Sequence, residues 1–259
     1  MNSSQHQLNY YKFDSMGLMH LKNIFSAEQI TSILEKFLEN KHMCRYEQCE
    51  FIKKYIGFEQ QPGIIELFTN SDLLDVCKHC IGQEFKLDYA LLVEQETSID
   101  KNKRYSVHGG MHKHFNLFYY HSYPQEHITT PCYTQTGQLT VGIPLTEQNL
   151  HTGGFCYLPG SHKSSYHIHS EPFFNQHNAA DLEDCFVIPK LNQGDCIVFP
   201  ENLTHGQTLY NNTMPRYAIY AAYSPISIQF NKDRRQRNRL FQNVDKNQTN
   251  KIYPNICRP

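Results

Sequence analysis

Two histidine-bearing segments stand far apart in the chain, Val107-His108-Gly109-Gly110 and Pro200-Glu201-Asn202-Leu203-Thr204-His205-Gly206. Arg216 follows His205 by eleven positions, and a glycine-rich stretch, Thr152-Gly153-Gly154-Phe155, lies between the two segments. Each histidine falls at the edge of a predicted strand. Two imidazoles brought together by strand pairing can hold one divalent metal, and an arginine one strand further on can grip a carboxylate beside it. Those residue types suit metal-centred oxidation that draws on a carboxylate-bearing cosubstrate.

The elements that must position these residues are legible in outline. Ser26-Ala27-Glu28-Gln29 is a capping-box pattern. Ile30, Ile33, Leu34, Phe37 and Leu38 then keep helical spacing. A second helix opens at Ser71 and stops at Gly82. The first hundred residues thus read as mostly helical, with a short strand at Met16–Leu21 and a longer one at Phe85–Val93. From about residue 85 to 230 the texture is β, with strands at Gly137–Leu145, Phe155–Leu158, Asp195–Phe199 and Arg216–Tyr223. Pro144 suggests an edge strand or a strand end. Helices followed by many short strands predict a mostly β protein with supporting α-helices, a sandwich or jelly roll. The polar stretch Ser164–Cys185 reads as a loop or lid. Lys232, Arg234, Arg235, Arg237 and Arg239 mark a solvated C-terminal face, with a phosphate-facing patch as the alternative.

A chain of 259 residues fits one domain: helical support over about 1–84, a β core over about 85–230 and an extension over about 231–259. Lys+Arg 24 against Asp+Glu 25 gives no basic field, so no nucleic acid polymer is expected as a partner. No apolar run reaches the length of a membrane span, and the polar start Met1-Asn2-Ser3-Ser4 does not read as a signal peptide. Nine cysteines, an odd number without a regular framework, suit free thiols and a cytoplasmic location. Cys77-Lys78-His79-Cys80 lacks a second cysteine pair and reads as one helix face rather than a zinc site.

Two longer pieces carry a resemblance. They are Gly153-Gly154-Phe155-Cys156-Tyr157-Leu158-Pro159-Gly160-Ser161-His162-Lys163, and Gly194-Asp195-Cys196-Ile197-Val198-Phe199-Pro200 leading into His205-Gly206. With Arg216 they resemble the phytanoyl-CoA dioxygenase family of iron(II)/2-oxoglutarate oxygenases, from Gly17 through Pro225. The resemblance implies a double-stranded β-helix of the jelly-roll, cupin-like kind that uses Fe(II), 2-oxoglutarate and O2. It makes His205 the distal metal ligand and Arg216 the clasp of the cosubstrate's remote carboxylate, bidentate as a guanidinium allows. Thr140, on a central strand, could reach the cosubstrate as well. Ala218 stands where many relatives carry a serine. His162, in the Pro-Gly-Ser-His-Lys turn, is expected to be a structural corner.

The proximal motif departs from the family pattern. Where His-x-Asp is expected the chain has His108-Gly109-Gly110, then Met111-His112-Lys113-His114, with no carboxylate in either. Taking His108 as the ligand puts Gly110 in the aspartate's place, which resembles the iron/2-oxoglutarate halogenases. A chloride can then occupy the vacated position, and a substrate radical can collect chlorine instead of hydroxyl. His112 or His114 as the ligand, giving an all-nitrogen site, is the competing alignment. Glycines after His108 permit close backbone approach, which favours His108. The functions that follow are a halogenase acting on an unactivated C–H bond, a hydroxylase or desaturase of the same family, or a non-catalytic metal- and ligand-binding relative. The substrate is expected to be a small molecule under the segment Tyr166–Asp184. Nearby tyrosines and histidines (Tyr119, Tyr120, His121, Tyr166, His167, His169) suggest a polar or aromatic one.

Overall fold

The computed structural model describes residues 3–49, 51–82, 84–97, 107–112, 137–164 and 185–226. Four α-helices occur among them: α1 (Ser3–Met16), α2 (Ala27–Asn40), α3 (Ile64–Phe68) and α4 (Ser71–Ile81). The strands are β1 (Met19–Leu21), β2 (Arg45–Cys49), β3 (Ile52–Ile56), β4 (Phe85–Gln95), β5 (Val107–His112), β6 (Leu139–Pro144), β7 (Phe155–Tyr157), β8 (Cys196–Pro200), β9 (His205–Thr208) and β10 (Arg216–Pro225).

Local chemistry starts and stops the helices. Ser26 Oγ accepts the Gln29 amide at 3.1 Å, and Ile30, Ile33 and Phe37 form the buried face of α2. At α4 the cap is Asn70 rather than Ser71, its side chain accepting the Leu73 amide at 3.0 Å. Gly82 ends that helix at φ 73°, a left-handed conformation that glycine adopts without strain. Cys77 and Cys80, one turn apart, are both buried core residues, so the C-x-x-C serves packing. All six described cysteines are free.

The strands form a seven-stranded sheet, β1-β8-β6-β10-β4-β3-β2, and a three-stranded sheet, β5-β9-β7, all antiparallel within the ladders. This is the mostly β jelly roll expected from the sequence. Period-2 alternation divides the large sheet into two faces. Val141, Ile143, Ile219 and Ala221 share a buried core with Ile33, Phe37, Leu73 and Val76 of α2 and α4. The opposite face places Ile197 and Phe199 in a second core with Phe155, Tyr157 and Leu203. Each fully buried aliphatic side chain contributes about 1.5–3 kcal/mol of transfer free energy. The helical core therefore anchors the large sheet while its inner face is left to build a site.

Of the two readings of Pro144 the strand end holds: β6 lies between β8 and β10, with Pro144 as its last residue, where the ladder stops. Two features differ from the sequence reading. The stretch expected to be mostly helical contains the β2–β3 hairpin, which extends the large sheet through β3–β4. Its strands are five residues each, too short for alternation to be conspicuous. α1 also went unread, because its sequence SSQHQLNYYKFDSM is mostly polar with little apolar periodicity. His114, Tyr119, Tyr120, His121, Tyr166–Asp184 and the basic residues Lys232–Arg239 lie outside the described residues.

Candidate active site

The site is built around a buried cation. Along β10 the residues Arg216, Ala218 and Tyr220 share one face, while Tyr217 and Ile219 turn to the helical core. Arg216 is 1% exposed. Its Nε donates to Gln148 Oε1 at 2.8 Å, one terminal nitrogen to Gln207 Oε1 at 2.8 Å and the other to the Tyr220 hydroxyl at 2.9 Å. All three acceptors are neutral, and no described carboxylate pairs with the guanidinium. Taking a charge out of water costs several kcal/mol unless a counter-charge meets it. A guanidinium has five N–H donors, and three are used by these described partners.

Gln148 fixes the rear of this cradle. Its Nε2 donates to the carbonyls of Phe155 and Pro189, each at 3.1 Å. Its Oε1 accepts the Phe155 amide at 3.0 Å in addition to Arg216 Nε. Both donors and both lone pairs are thereby committed, which holds the amide in one orientation. Gly154 makes the approach possible. A Cβ there would sit 2.7 Å from Gln148 Oε1 and 2.9 Å from Arg216 Nε, and its φ of 117° is already glycine's territory. Gly154 thus clears the space in which the arginine lies, while its neighbour Gly153 lets the Leu209 carbonyl approach.

His205 opens β9 and is 9% exposed. Its Nδ1 lies 2.7 Å from the Leu203 carbonyl, which can only accept, so Nδ1 carries a proton and Nε2 is the nitrogen a neutral ring would offer as a ligand. Metal-ligating histidines are commonly oriented in this manner. The rings of Phe199 and Phe155 flank it at 4.8 and 6.1 Å between centroids. Two residues on, Gln207 reaches Arg216, so one strand connects the imidazole to the cation.

β5 runs along the other side of β9. His108 is the Cα partner of Gln207, and His112 is the Cα partner of His205. Over that interval β5 advances four residues and β9 two, so β5 carries two extra residues in a bulge around Gly109-Gly110. The register therefore brings both candidate proximal histidines to the strand beside His205, with His112 in its row and His108 in the row nearer Arg216. Gly110 lies within the bulge. Among the described residues no three of His, Cys, Asp and Glu converge on one point.

Thr140 is on the inner face but not at the cradle. It pairs with Ala222, six residues along β10 from Arg216, roughly 20 Å at the rise of a strand. Its hydroxyl donates instead to Glu201 Oε1. Glu201 is 3% exposed, and burial pushes its carboxyl up to about 7. His162 is a structural corner as expected: its Nε2 meets the Asp14 carbonyl at 2.9 Å, and its own carbonyl accepts from Asn202 Nδ2 at 2.5 Å. That corner pins α1 to the loop leading into His205.

The sequence reading passed over Gln148, Gln207, Tyr220 and Glu201. Period-2 counting from His205 and Arg216 would have reached Gln207 and Tyr220. Nothing local marks Gln148 or Glu201, whose roles come from chain segments that meet only in the fold.

The profile of the phytanoyl-CoA dioxygenase (PhyH) family matches residues 13–218, most of the chain. The chain belongs to the phytanoyl-CoA dioxygenase family. No curated protein sequence matches it significantly. Solved structures share its fold at low identity. HygX from Streptomyces hygroscopicus, bound to nickel, 2-oxoglutarate and hygromycin B, is 16% identical with a TM-score of 0.65, covering 88% of this chain and 89% of that one. The 2-oxoglutarate-dependent epimerase SnoN of nogalamycin biosynthesis is 15% identical with a TM-score of 0.62, covering 86% and 82%. EctD from S. alaskensis, with 2-oxoglutarate and 5-hydroxyectoine, is 18% identical with a TM-score of 0.57, covering 88% and 77%. No described helix of this family member is long and apolar enough to cross a membrane.

Glu201 gives the fold a pH signature. The carboxyl ionises near 4.5 when unfolded and near 7 in the fold, so between these values the fold keeps a proton that the unfolded chain has lost. Stability from this group is full below about pH 4.5 and is lost as pH rises through about 7, by about 3 kcal/mol. Glu201→Gln stays neutral throughout. Its melting temperature relative to wild type should rise between about pH 5 and about pH 8 in thermal denaturation; parallel profiles would contradict a costly buried carboxylate.

Proposed function

We propose that this protein is an iron(II)/2-oxoglutarate-dependent oxidoreductase that acts on a C–H bond of a small molecule. The observation that carries the reading is Arg216, a buried cation whose partners among the described residues are all neutral. A dicarboxylate would fit it, with one carboxylate neutralising the guanidinium. His205 fits a metal, because its Nδ1 proton is committed to the Leu203 carbonyl. Bound iron(II), with 2-oxoglutarate and O2, supplies an oxidant able to take a hydrogen atom from an unactivated C–H bond. The chain's own part is to orient the cosubstrate through Arg216 and to keep water from the site with the rings of Phe155 and Phe199. HygX and SnoN were solved with the small molecules hygromycin B and nogalamycin RO, which supports a small-molecule substrate here.

The finer reading is a halogenase. His108 as proximal ligand leaves Gly110 where a carboxylate ligand would stand, and chloride takes that place. A second reading rests on the register, in which His112 faces His205. Then His112-Lys113-His114 is the proximal motif, equally without a carboxylate. Hydroxylation or desaturation belongs with that alternative.

Metal binding separates the two ligand assignments. Calorimetric titration with iron(II) under anaerobic conditions should show binding abolished by His205→Ala and by either His108→Ala or His112→Ala. A loss on His112→Ala with His108→Ala harmless would assign the register's histidine and end the His108 assignment.

Cosubstrate binding tests the cradle. Losing one partner of a buried charge pair costs about 2–5 kcal/mol. Arg216→Ala should therefore weaken 2-oxoglutarate binding well over tenfold, with Arg216→Lys recovering part of it. Gln148→Glu should do the same by giving the guanidinium an internal counter-charge. Unchanged affinity in Arg216→Ala would remove the basis of the reading.

Product analysis tests the halogenase. Wild-type protein supplied with chloride or bromide should give the matching halogenated product by mass spectrometry, and Gly110→Asp should not, because the new carboxylate competes with the halide. A hydroxylated wild-type product indifferent to halide leaves the oxygenase and removes the halogenase.

A further inference from the structure

The cradle contains a hydroxyl that the anion clasp has not yet been credited with. Tyr220 lies four residues beyond Arg216 on the same face of β10, and its oxygen accepts from the Arg216 guanidinium at 2.9 Å. That bond uses a lone pair, and the phenolic proton has no acceptor among the described residues. Ala218, between the two on the same face, offers no polar atom. Tyr220 is only partly buried, as is Gln207, while Arg216, Ala218 and Ala222 around them are buried. The phenol and the Gln207 amide are thus the two partners of the guanidinium on partly exposed residues.

The ring is held there by its surroundings. Gly142 is its Cα partner on β6, and a Cβ at that position would lie 3.1 Å from Tyr220 Cε1 and 2.8 Å from Ile197 Cγ1. Phe155 lies at 6.3 Å between centroids, tilted by 36°. A missing side chain on one strand and an aromatic ring from the small sheet therefore fix where the hydroxyl points. An O–H directed at a carboxylate is a charge-assisted hydrogen bond, stronger than one between neutral groups.

We propose that Tyr220 is a cosubstrate-binding residue whose hydroxyl donates to the carboxylate that Arg216 holds, so that the distal carboxylate is recognised by a guanidinium and a phenol together. This rests on the 2-oxoglutarate reading above. It makes Tyr220 a discriminator: a 2-oxo acid with a distal carboxylate gains the phenolic bond, and one without it does not.

The test measures binding of 2-oxoglutarate and of pyruvate, which keeps the 2-oxo acid end and lacks the distal carboxylate, to the nickel-loaded full chain by calorimetry. Tyr220→Phe should weaken 2-oxoglutarate about tenfold, as expected for a lost hydrogen bond to a charged group, and leave pyruvate unchanged. Adding Ala218→Ser to Tyr220→Phe restores a hydroxyl on the same face and should recover most of the loss. Equal affinity of Tyr220→Phe and wild type for 2-oxoglutarate overturns the proposal. So does an equal loss for both ligands, or a failure of Ala218→Ser to recover any of it, since Tyr220 would then merely prop the arginine. Wild-type protein that binds no 2-oxoglutarate, or Arg216→Ala that binds it normally, overturns the cosubstrate reading itself and this proposal with it.

Discussion

The architecture of the site depends on one guanidinium buried without a counter-ion among the described residues. Arg216 reaches this state because three neutral acceptors from three different segments meet it: Gln148 from the loop after β6, Gln207 from β9 and Tyr220 from its own strand. Any carboxylate in place of these would make the protein satisfy itself and leave nothing for a ligand. A buried cation without a counter-charge is costly, and the hydrogen-bonded cradle holds the side chain in the site.

Much of the remaining fold serves that arrangement. Gly154 clears the volume beside Arg216, and the amide of Gln148 is tied to both the carbonyl and the amide of Phe155 so that it cannot rotate away. The helical core behind the large sheet holds β10 through Tyr217, Ile219 and Ala221, which alternate with the residues of the cradle. The corner at Ser161-His162 pins the loop ahead of His205, with Ser161 Oγ accepting the Thr204 amide at 2.8 Å. Imidazole and cation are thus set on two sheets whose separation is fixed by Phe155 and Phe199 packing between them.

The proximal side is where sequence and register point to different residues. Glycines after His108 single it out in the sequence, because glycine lets backbone approach a ligand closely. The ladder places those same glycines in a two-residue bulge, and by doing so moves His112 into the row of His205. A bulge changes pairing without any change in local composition, so no pattern along the chain announces it. Both readings share one chemical fact, the absence of aspartate at either motif.

What the sequence determined by itself was what local chemistry can encode. Ser26 started one helix and Gly82 ended another, the spacing of Ile30, Ile33 and Phe37 set a buried face, and the two longer motifs with Arg216 marked the family and its jelly roll. The fold bore these out because capping, amphipathic spacing and left-handed glycine turns involve residues a few positions apart. Tertiary structure alone decided that the β2–β3 hairpin widens the sheet and that Thr140 gives its hydroxyl to Glu201 about six strand positions from the cradle. It also decided the partners of Arg216, since Gln148 lies 68 residues away in the chain and becomes its neighbour only when the strands close. Contacts of that range depend on sheet order and register, which arise from the packing of both cores at once rather than from any one segment.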